Sequence, residues 1–152
     1  MALKIGSKAP EIKLKSTSGK TFELSLDLKG KPCIIYFYPK DFTPGCTEEA
    51  CTFRDAFSDF RDLDVTVIGI SKDSISSHQK FKKEHNLPFE LLSDPTGKVC
   101  KSYDALIPLI KVPKRITYLL DPKHNVVAEY QDMFGAKKHI EVMLKKMKSS
   151  NT

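Results

Sequence analysis

Two cysteines five residues apart lie in the segment with the greatest potential for chemistry. Cys46 and Cys51 follow residues 39–45, a loop with two prolines and a glycine that leads from a predicted buried strand into a predicted helix. A cysteine in the first turn of a helix lies near unpaired backbone N–H groups and the positive end of the helix dipole, which favour thiolate over thiol. We therefore predict that Cys46 is a nucleophile.

The spacing of the pair sets a geometric condition on any bond between them. Cys46 shares its helical periodicity with Ala50, Phe53 and Phe57, so its sulfur should point inward while Cys51 lies toward the flank. Five helical residues rise about 7.5 Å and separate the two Cα atoms by about 8.6 Å. A disulfide needs less than about 7 Å. If the two cysteines react with one another, the start of this helix must unwind.

A structural role is the alternative for every cysteine, since cysteine is a common core residue. Cys33 lies inside the apolar run 32–38, and Cys100 lies in a short predicted helix, so both are expected to be core residues. The position of Cys46 favours function. The spacing alone leaves Cys51 open between the two roles.

Motifs for metals and cofactors are missing from the sequence. There is no C-x-x-C pair, and His78, His85, His124 and His139 do not have zinc-site spacing. Neither G-x-G-x-x-G nor a P-loop occurs, and no G-x-S-x-G elbow indicates a serine hydrolase. We expect no metal and no cofactor.

The 152 residues are predicted to form one domain spanning 1–152, with 149–152 as a frayed tail. Hydrophobic residues at 40% and charged residues at 29% are typical of globular chains and exclude a disordered class. The longest apolar runs, 34–38 and 106–110, fall far short of the roughly 20 residues of a membrane span. The first residues lack a secretory pattern. We expect a cytoplasmic protein with mostly free thiols and no membrane partner.

The net charge of +6 raises the alternative of a nucleic-acid-binding protein. The densest lysines share a C-terminal segment with Ile140, Met143, Leu144 and Met147, which have the spacing of one buried helix stripe. These lysines are then the solvated back of a helix, and no nucleic acid is expected.

Periodicity and turn residues predict an α/β fold with a mixed central sheet flanked by helices. The chain begins with a hairpin of residues 11–15 and 21–25, and it ends with the helix around 140–147. Predicted strands cover 32–38, 65–71, 89–92, 115–120 and 126–131, and predicted helices cover 47–63, 74–85 and 98–103.

The active segment resembles a family signature. The motif Pro39-x-x-x-Thr43-x-x-Cys46 is similar to the active-site motif of peroxiredoxins, and FYPKDFTPGCTEEACTFRD is similar to their Q-type, or bacterioferritin-comigratory-protein, subgroup. The resemblance extends to the amino-terminal hairpin and to the R-x-T-Y-L-L-D stretch that begins at Arg115. It implies a thioredoxin-like fold and the activity of a thiol-specific peroxidase with a role in antioxidant defence.

The resemblance also implies roles for single residues. Cys46 would be the peroxidatic cysteine and Cys51 the resolving one. Thr43 would hydrogen-bond the thiolate and the peroxide, and Pro39 would shield the pocket from water. Arg115 would stabilise the thiolate and bind the peroxide oxygens, because a guanidinium keeps its charge and presents several donors.

The implied reaction reduces hydrogen peroxide and organic hydroperoxides through a sulfenic acid on Cys46 and an intramolecular disulfide with Cys51. Thioredoxin or a similar dithiol would then restore the thiols. Glu49 is a candidate for orienting Arg115. The family implies a monomer as the main form, with a dimer as the alternative.

Other function classes are alternatives to a peroxidase. A thioredoxin-like disulfide reductase would use the same loop and helix, but it needs a C-x-x-C pair, and Thr43 occupies the first of those positions. A basic binding module and a chaperone role alongside the peroxidase are further alternatives. Residues 106–114, LIPLIKVPK, depart from the family because they are apolar where many relatives are more polar. They are expected to alter the pocket rim or a contact surface.

Overall fold

Alternating strands and helices build a seven-stranded mixed sheet in the computed structural model, which describes residues 2–132 and 136–150, with backbone alone at 136–137 and 148–150. The strand order is β2-β1-β5-β4-β3-β6-β7. The strands are β1 (Lys13–Ser16), β2 (Thr21–Glu23), β3 (Cys33–Phe37), β4 (Thr66–Ser71), β5 (Glu90–Ser93), β6 (Ile116–Leu120) and β7 (Val126–Gln131).

The three central strands β3, β4 and β5 are parallel, and antiparallel strands extend the sheet on both sides. The predicted amino-terminal hairpin is present, since β1 and β2 pair antiparallel. A second hairpin joins β6 to β7. The predicted α/β fold with a mixed sheet is confirmed.

Strand β3 lies at the centre because every one of its side chains is apolar and buried. Its residues alternate between two cores, as the pleat of a strand requires. Cys33, Ile35 and Phe37 face one core, whereas Ile34 and Tyr36 face the other. The sheet is therefore the middle of three layers.

Six helices flank the sheet in the described part of the chain. Side chains from α2, α3, α4 and α6 form the core that contains Cys46, and residues of α1 and α5 join the core on the opposite face. The helices are α1 (Leu24–Asp27), α2 (Pro44–Asp55), α3 (Phe57–Asp62), α4 (Ile75–His85), α5 (Lys98–Ser102) and α6 (Ala136–Ser150).

The predicted single helix over 47–63 is wrong in two respects. It begins earlier, at Pro44, because proline suits the first helical position, where no N–H is needed. It is also interrupted at Ala56, whose φ of −93° and ψ of 4° separate α2 from α3. The interruption leaves both Phe53 and Phe60 fully buried, with ring centroids 5.7 Å apart.

Helix α6 carries the predicted apolar stripe. Ile140, Met143 and Met147 are buried, Leu144 packs against them, and the described lysines Lys138, Lys145 and Lys146 are exposed. The backbone is helical through Ser150, so the predicted tail at 149–152 begins inside the helix, and residues 151–152 lie outside the described residues. Within the described residues, no helix combines the length and the apolar character needed to cross a membrane.

Candidate active site

The 39–45 loop follows the carboxyl end of β3 and leads into α2. Helix α2 contains both predicted active-site cysteines, Cys46 and Cys51. Thr43 is the residue preceding the helix, and its backbone oxygen accepts a hydrogen bond from the Thr47 N–H at 2.8 Å. Pro44 then starts the helix, which makes Cys46 its third residue. The predicted position of Cys46 in the first helical turn is confirmed.

Cys46 is 1% exposed and lies within the core beneath α2. Its sulfur accepts a hydrogen bond from Arg115 Nη2 at 3.1 Å. Burial penalises a thiolate, but a guanidinium at this distance, together with the start of the helix, stabilises it. This contact with a buried guanidinium distinguishes Cys46 from a cysteine that only packs in the core.

Arg115 precedes β6 and is 5% exposed. It reaches Cys46 with one nitrogen and donates with the other, Nη1, to Glu49 Oε1 at 2.7 Å. Gly45 permits this approach, because a Cβ at that position would lie 3.0 Å from Arg115 Nη2. Burial alone would lower the pKa of Arg115, but Glu49 and Cys46 raise it above its usual value, so the guanidinium stays charged.

Glu49 is fully buried one turn after Cys46, which places its carboxyl beneath the guanidinium. Burial raises the pKa of Glu49 to about 8, although the charge of Arg115 acts in the opposite direction. Its contact with Arg115 is the arrangement that a residue orienting Arg115 would require, a role for which the sequence already makes Glu49 a candidate.

His139 on α6 lies on the far side of the buried Arg115–Glu49 pair. Its Nε2 donates to the Asp132 carbonyl at 2.9 Å, and its Nδ1 accepts from the Thr117 hydroxyl at 2.8 Å. Burial lowers the pKa of His139, so the ring is neutral. Its Nδ1 lies 3.8 Å from Glu49 Oε2. Sequence patterns could not reveal this contact, because His139 and Glu49 are 90 positions apart without a shared motif.

Thr43 and Pro39, the other two residues of the motif, lie in the loop that precedes Cys46. The Thr43 hydroxyl donates to the Lys40 carbonyl at 2.8 Å and not to Cys46, which differs from the expected hydrogen bond to the thiolate. The physical reason is that a hydroxyl has one proton to donate and the turn presents a carbonyl three residues back. Its oxygen can still accept a hydrogen bond. Pro39 is half-buried just after β3.

Cys51 lies within the same helix as Cys46, and both are free thiols. Cys51 is half-buried and faces α4, where its sulfur lies 3.8 Å from His85 Nδ1. The undistorted helix therefore keeps the two cysteines on different sides. Cys33 and Cys100 are fully buried, and burial raises the pKa of the Cys33 thiol to about 12.

Comparison with known proteins agrees with this geometry. Residues 5–129 match the model of a family described as AhpC/TSA. The chain is 42% identical over 158 residues to Peroxiredoxin Bcp of Bacillus subtilis (strain 168), with 97% of each chain covered. It belongs to the AhpC/TSA family.

Two further peroxiredoxins extend the comparison. The chain is 45% identical to Peroxiredoxin Q, chloroplastic, of Populus jackii over 145 residues, which cover 95% of this chain and 68% of that protein. The crystal structure of peroxidoxin BcpB from Mycobacterium tuberculosis has a TM-score of 0.91 at 30% identity, with 97% of each chain covered. The predicted family, the thioredoxin-like fold and the activity of a thiol peroxidase are confirmed.

This AhpC/TSA-family chain anchors its 39–45 loop through a buried carboxyl that the sequence analysis missed. Asp41 is 3% exposed and accepts hydrogen bonds from the Tyr38 hydroxyl at 2.6 Å and the Ser77 hydroxyl at 2.8 Å. His78 Nδ1 lies 2.7 Å from the same carboxyl. The Asp41 N–H donates to Asp73 at 2.9 Å. These contacts tie the loop of the family motif to α4 and to the end of β4.

The polar side chains around Asp41 lie as close together as the ligands of a metal ion. Ligand atoms of Asp41, Asp73 and His78 lie within 4.8 Å of one another. Hydrogen bonds within the protein already engage them, including one from His78 Nε2 to the Leu92 carbonyl at 2.9 Å. We interpret this cluster as a structural network that holds the loop. The only advance signal was Asp41 itself, a charged residue between Pro39 and Thr43.

Proposed function

We propose that this thiol peroxidase reduces hydrogen peroxide and organic hydroperoxides with Cys46 as the attacking residue. The observation that carries the proposal is the 3.1 Å hydrogen bond from the buried Arg115 guanidinium to the Cys46 sulfur. The charge stabilises a thiolate, and the thiolate is the nucleophilic form of cysteine. The sulfur is also held at the start of a helix, so its backbone surroundings favour the anion.

In the first step the Cys46 thiolate attacks one peroxide oxygen and the O–O bond breaks. The sulfur becomes a sulfenic acid, and the second oxygen leaves, after gaining a proton, as water or an alcohol. Negative charge develops on the leaving oxygen. Arg115 is placed to stabilise it, because its Nη2 already reaches the reacting sulfur and a guanidinium presents several N–H donors.

Thr43 and Pro39 have supporting roles in this proposal. The Thr43 hydroxyl donates to Lys40, which leaves its oxygen lone pairs to accept a hydrogen bond from the O–H of an incoming peroxide. Pro39 has no N–H and is half-buried at the end of β3, so it limits the access of water. Both roles rest on position beside Cys46 and on the peroxiredoxin motif.

In the second step the Cys51 thiol condenses with the sulfenic acid, releasing water and forming a disulfide. Both cysteines lie in α2, so this step requires the first turns of α2 to unwind. Full amide protection of α2 in the disulfide form would contradict that requirement. A dithiol reductant, which we propose to be thioredoxin, then takes the disulfide back to two thiols.

The proposed setting is the reducing cytoplasm, where the enzyme acts in antioxidant defence as a monomer. Free thiols at all four cysteines fit a reducing compartment. The role is tested by peroxide consumption with thioredoxin, thioredoxin reductase and a nicotinamide reductant. Cys46→Ser should abolish turnover, whereas Cys33→Ala, a change at a buried thiol in the other core, should retain it. Turnover that survives in Cys46→Ser would overturn the proposal.

A further inference from the structure

Residues 106–114 form a projecting loop, which we call the apolar loop. It is held in one shape by its own backbone, with a hydrogen bond from Ile107 N–H to the Val112 carbonyl at 2.8 Å and one from Lys111 N–H to the Ile107 carbonyl at 2.9 Å. A bridge between Leu106 and Pro113 closes its base. The loop is therefore an ordered feature of the surface and not an extended linker.

The tip of the apolar loop presents aliphatic side chains to solvent. Leu109 is 96% exposed and Ile110 is 66% exposed. Leu109 also has a φ of 73°, in the left-handed region that side chains other than glycine rarely adopt. Two neighbouring aliphatic side chains that the backbone holds toward solvent indicate a binding surface.

Lysines line the groove beside this tip. A groove of about 640 Å³ separates the apolar loop from α5, and its walls carry Lys98, Lys101, Lys111 and Lys114. Asp104 is the one acidic residue among the described residues that line it. The partner of this surface must therefore be apolar where the tip enters it and negatively charged around the tip.

We propose that the apolar loop docks on the surface of an anionic lipid bilayer. Leu109 and Ile110 would enter the boundary between headgroups and acyl chains, and the lysines would lie among the anionic headgroups. The aliphatic part of a lysine side chain packs on apolar surface while its charge stays in water. Lysines beside an aliphatic tip therefore suit the headgroup region of a bilayer. The expectation of no membrane partner rested on the lack of a spanning segment, and peripheral docking needs none.

Other partners fit this surface less well. Protein interfaces are enriched in aromatic residues and arginine and depleted in lysine, whereas this surface has aliphatic residues and lysines. A symmetric contact with a second copy would bring the same lysines together and cost repulsion. An anionic membrane meets both the aliphatic tip and the charge.

Docking would also bring the 39–45 loop close to the membrane. Lys72, which directly follows β4, donates from Nζ to the Lys111 carbonyl at 3.0 Å. The next residue, Asp73, accepts from the Asp41 N–H. The apolar loop and the 39–45 loop thus lie at the same end of the sheet. This surface is independent of the proposed chemistry of Cys46, because its test measures binding and not turnover.

The test is co-sedimentation of the full chain with vesicles. One set contains phosphatidylcholine alone, and the other contains phosphatidylcholine with about one-third phosphatidylglycerol. The apolar variant is Leu109→Ser with Ile110→Ser, and its control is Leu26→Ser, which changes a side chain that is 67% exposed elsewhere. The charge variant is Lys101→Glu with Lys111→Glu, and Lys145→Glu with Lys146→Glu on α6 is the control with the same change in net charge.

The unaltered chain should bind the anionic vesicles at least about tenfold more tightly than the neutral ones, and added salt should weaken binding. Each loop variant should lose at least about tenfold, and each control should stay within about twofold. No binding to anionic vesicles, or equal binding by loop variants and unaltered chain, overturns the proposal. Loss of a dimer in the apolar variant without vesicle binding assigns the loop to a second copy instead. If the unaltered chain does not bind vesicles and the charge variant loses thioredoxin-dependent turnover, the apolar loop is assigned to contact with an acidic protein instead.

Discussion

Arg115 Nη2 lies 3.1 Å from Cys46 Sγ, while Nη1 of the same guanidinium lies 2.7 Å from Glu49 Oε1. One rigid, planar group thus joins the predicted nucleophile to a buried carboxyl. The hydrogen bond from Nη1 to Glu49 orients the guanidinium so that Nη2 points at the Cys46 sulfur. A lysine could not reproduce it, because an ammonium is a single point with no fork of donors.

Arg115→Lys should therefore slow the oxidation of Cys46 by hydrogen peroxide by about 10- to 1,000-fold, because a preorganised donor is lost where charge develops. The rate is measured by stopped-flow fluorescence or by competition with a reference peroxidase. Arg61→Lys is the matched control, since that side chain is 66% exposed on α3. An unchanged rate in Arg115→Lys would remove the guanidinium from the chemistry.

Glu49→Gln should change how stability depends on pH. The pKa of Glu49 rises from 4.5 to about 8 in the folded protein, so between these values the folded state holds a proton that the unfolded state has lost. The unaltered chain must then lose stability as the pH rises through this window, by at most about 1.4 kcal/mol per pH unit. Glutamine does not titrate.

The measurement is urea unfolding of both proteins at pH 5, 6, 7 and 8. The difference in free energy of unfolding, Glu49→Gln minus unaltered chain, should increase steadily with pH. A difference that is constant across the window would mean that Glu49 ionises in the folded protein as it does in the unfolded chain. The same constant difference would follow if Arg115 lowered the pKa of Glu49 below 4.5, because the carboxyl would then be ionised in both states throughout this window.

The thiols should divide into two classes on alkylation. Burial raises the pKa of Cys33 to about 12, and burial together with the nearby Asp94 also raises the pKa of Cys100. At pH 8 both are protonated, whereas Cys46 lies against the Arg115 guanidinium and Cys51 is only half-buried, so iodoacetamide should label Cys46 and Cys51 first in the native protein. Peptide mapping after a short pulse gives the result, and labelling of all four cysteines in urea is the control. Early labelling of Cys33 would contradict its assignment to the core.

Asp41→Asn should destabilise the fold by about 1–3 kcal/mol, since an amide nitrogen would face the Tyr38 or the Ser77 hydroxyl, both of which now donate to the carboxyl. Urea unfolding measures the change. The matched control is Asp62→Asn, whose side chain is 73% exposed. Equal stability of the two variants would show that the network around Asp41 does not hold the loop.

Much of the site depends on contacts that sequence periodicity cannot show. The strand at 33–37 and the position of Cys46 follow from a local apolar run and a loop before a helix. Arg115 is 69 positions from Cys46, so only the family resemblance linked them before the structure did. Glu49 was likewise a candidate partner of Arg115 only through that resemblance, because a local pattern does not reveal a contact with a residue 66 positions away.

The buried polar network shows the same limit. Asp41 and His78 are polar residues, which are expected at the surface. Their burial becomes favourable only because they contact one another across 37 positions of sequence. The break at Ala56 depends on how Phe53 and Phe60 fit one core. The hydrogen bond from Thr43 to Lys40 depends on the turn that the loop adopts.

The most direct test of the central claim is the intact mass of the reduced protein, with peptide mapping, after one equivalent of hydrogen peroxide. Attack by Cys46 followed by condensation with Cys51 predicts the loss of two hydrogens and a single crosslink between the peptides that contain these residues. One added oxygen that stays on Cys46 would retain the peroxidase and remove Cys51 as the resolving residue. Oxidation elsewhere, with Cys46 unmodified, would contradict the account.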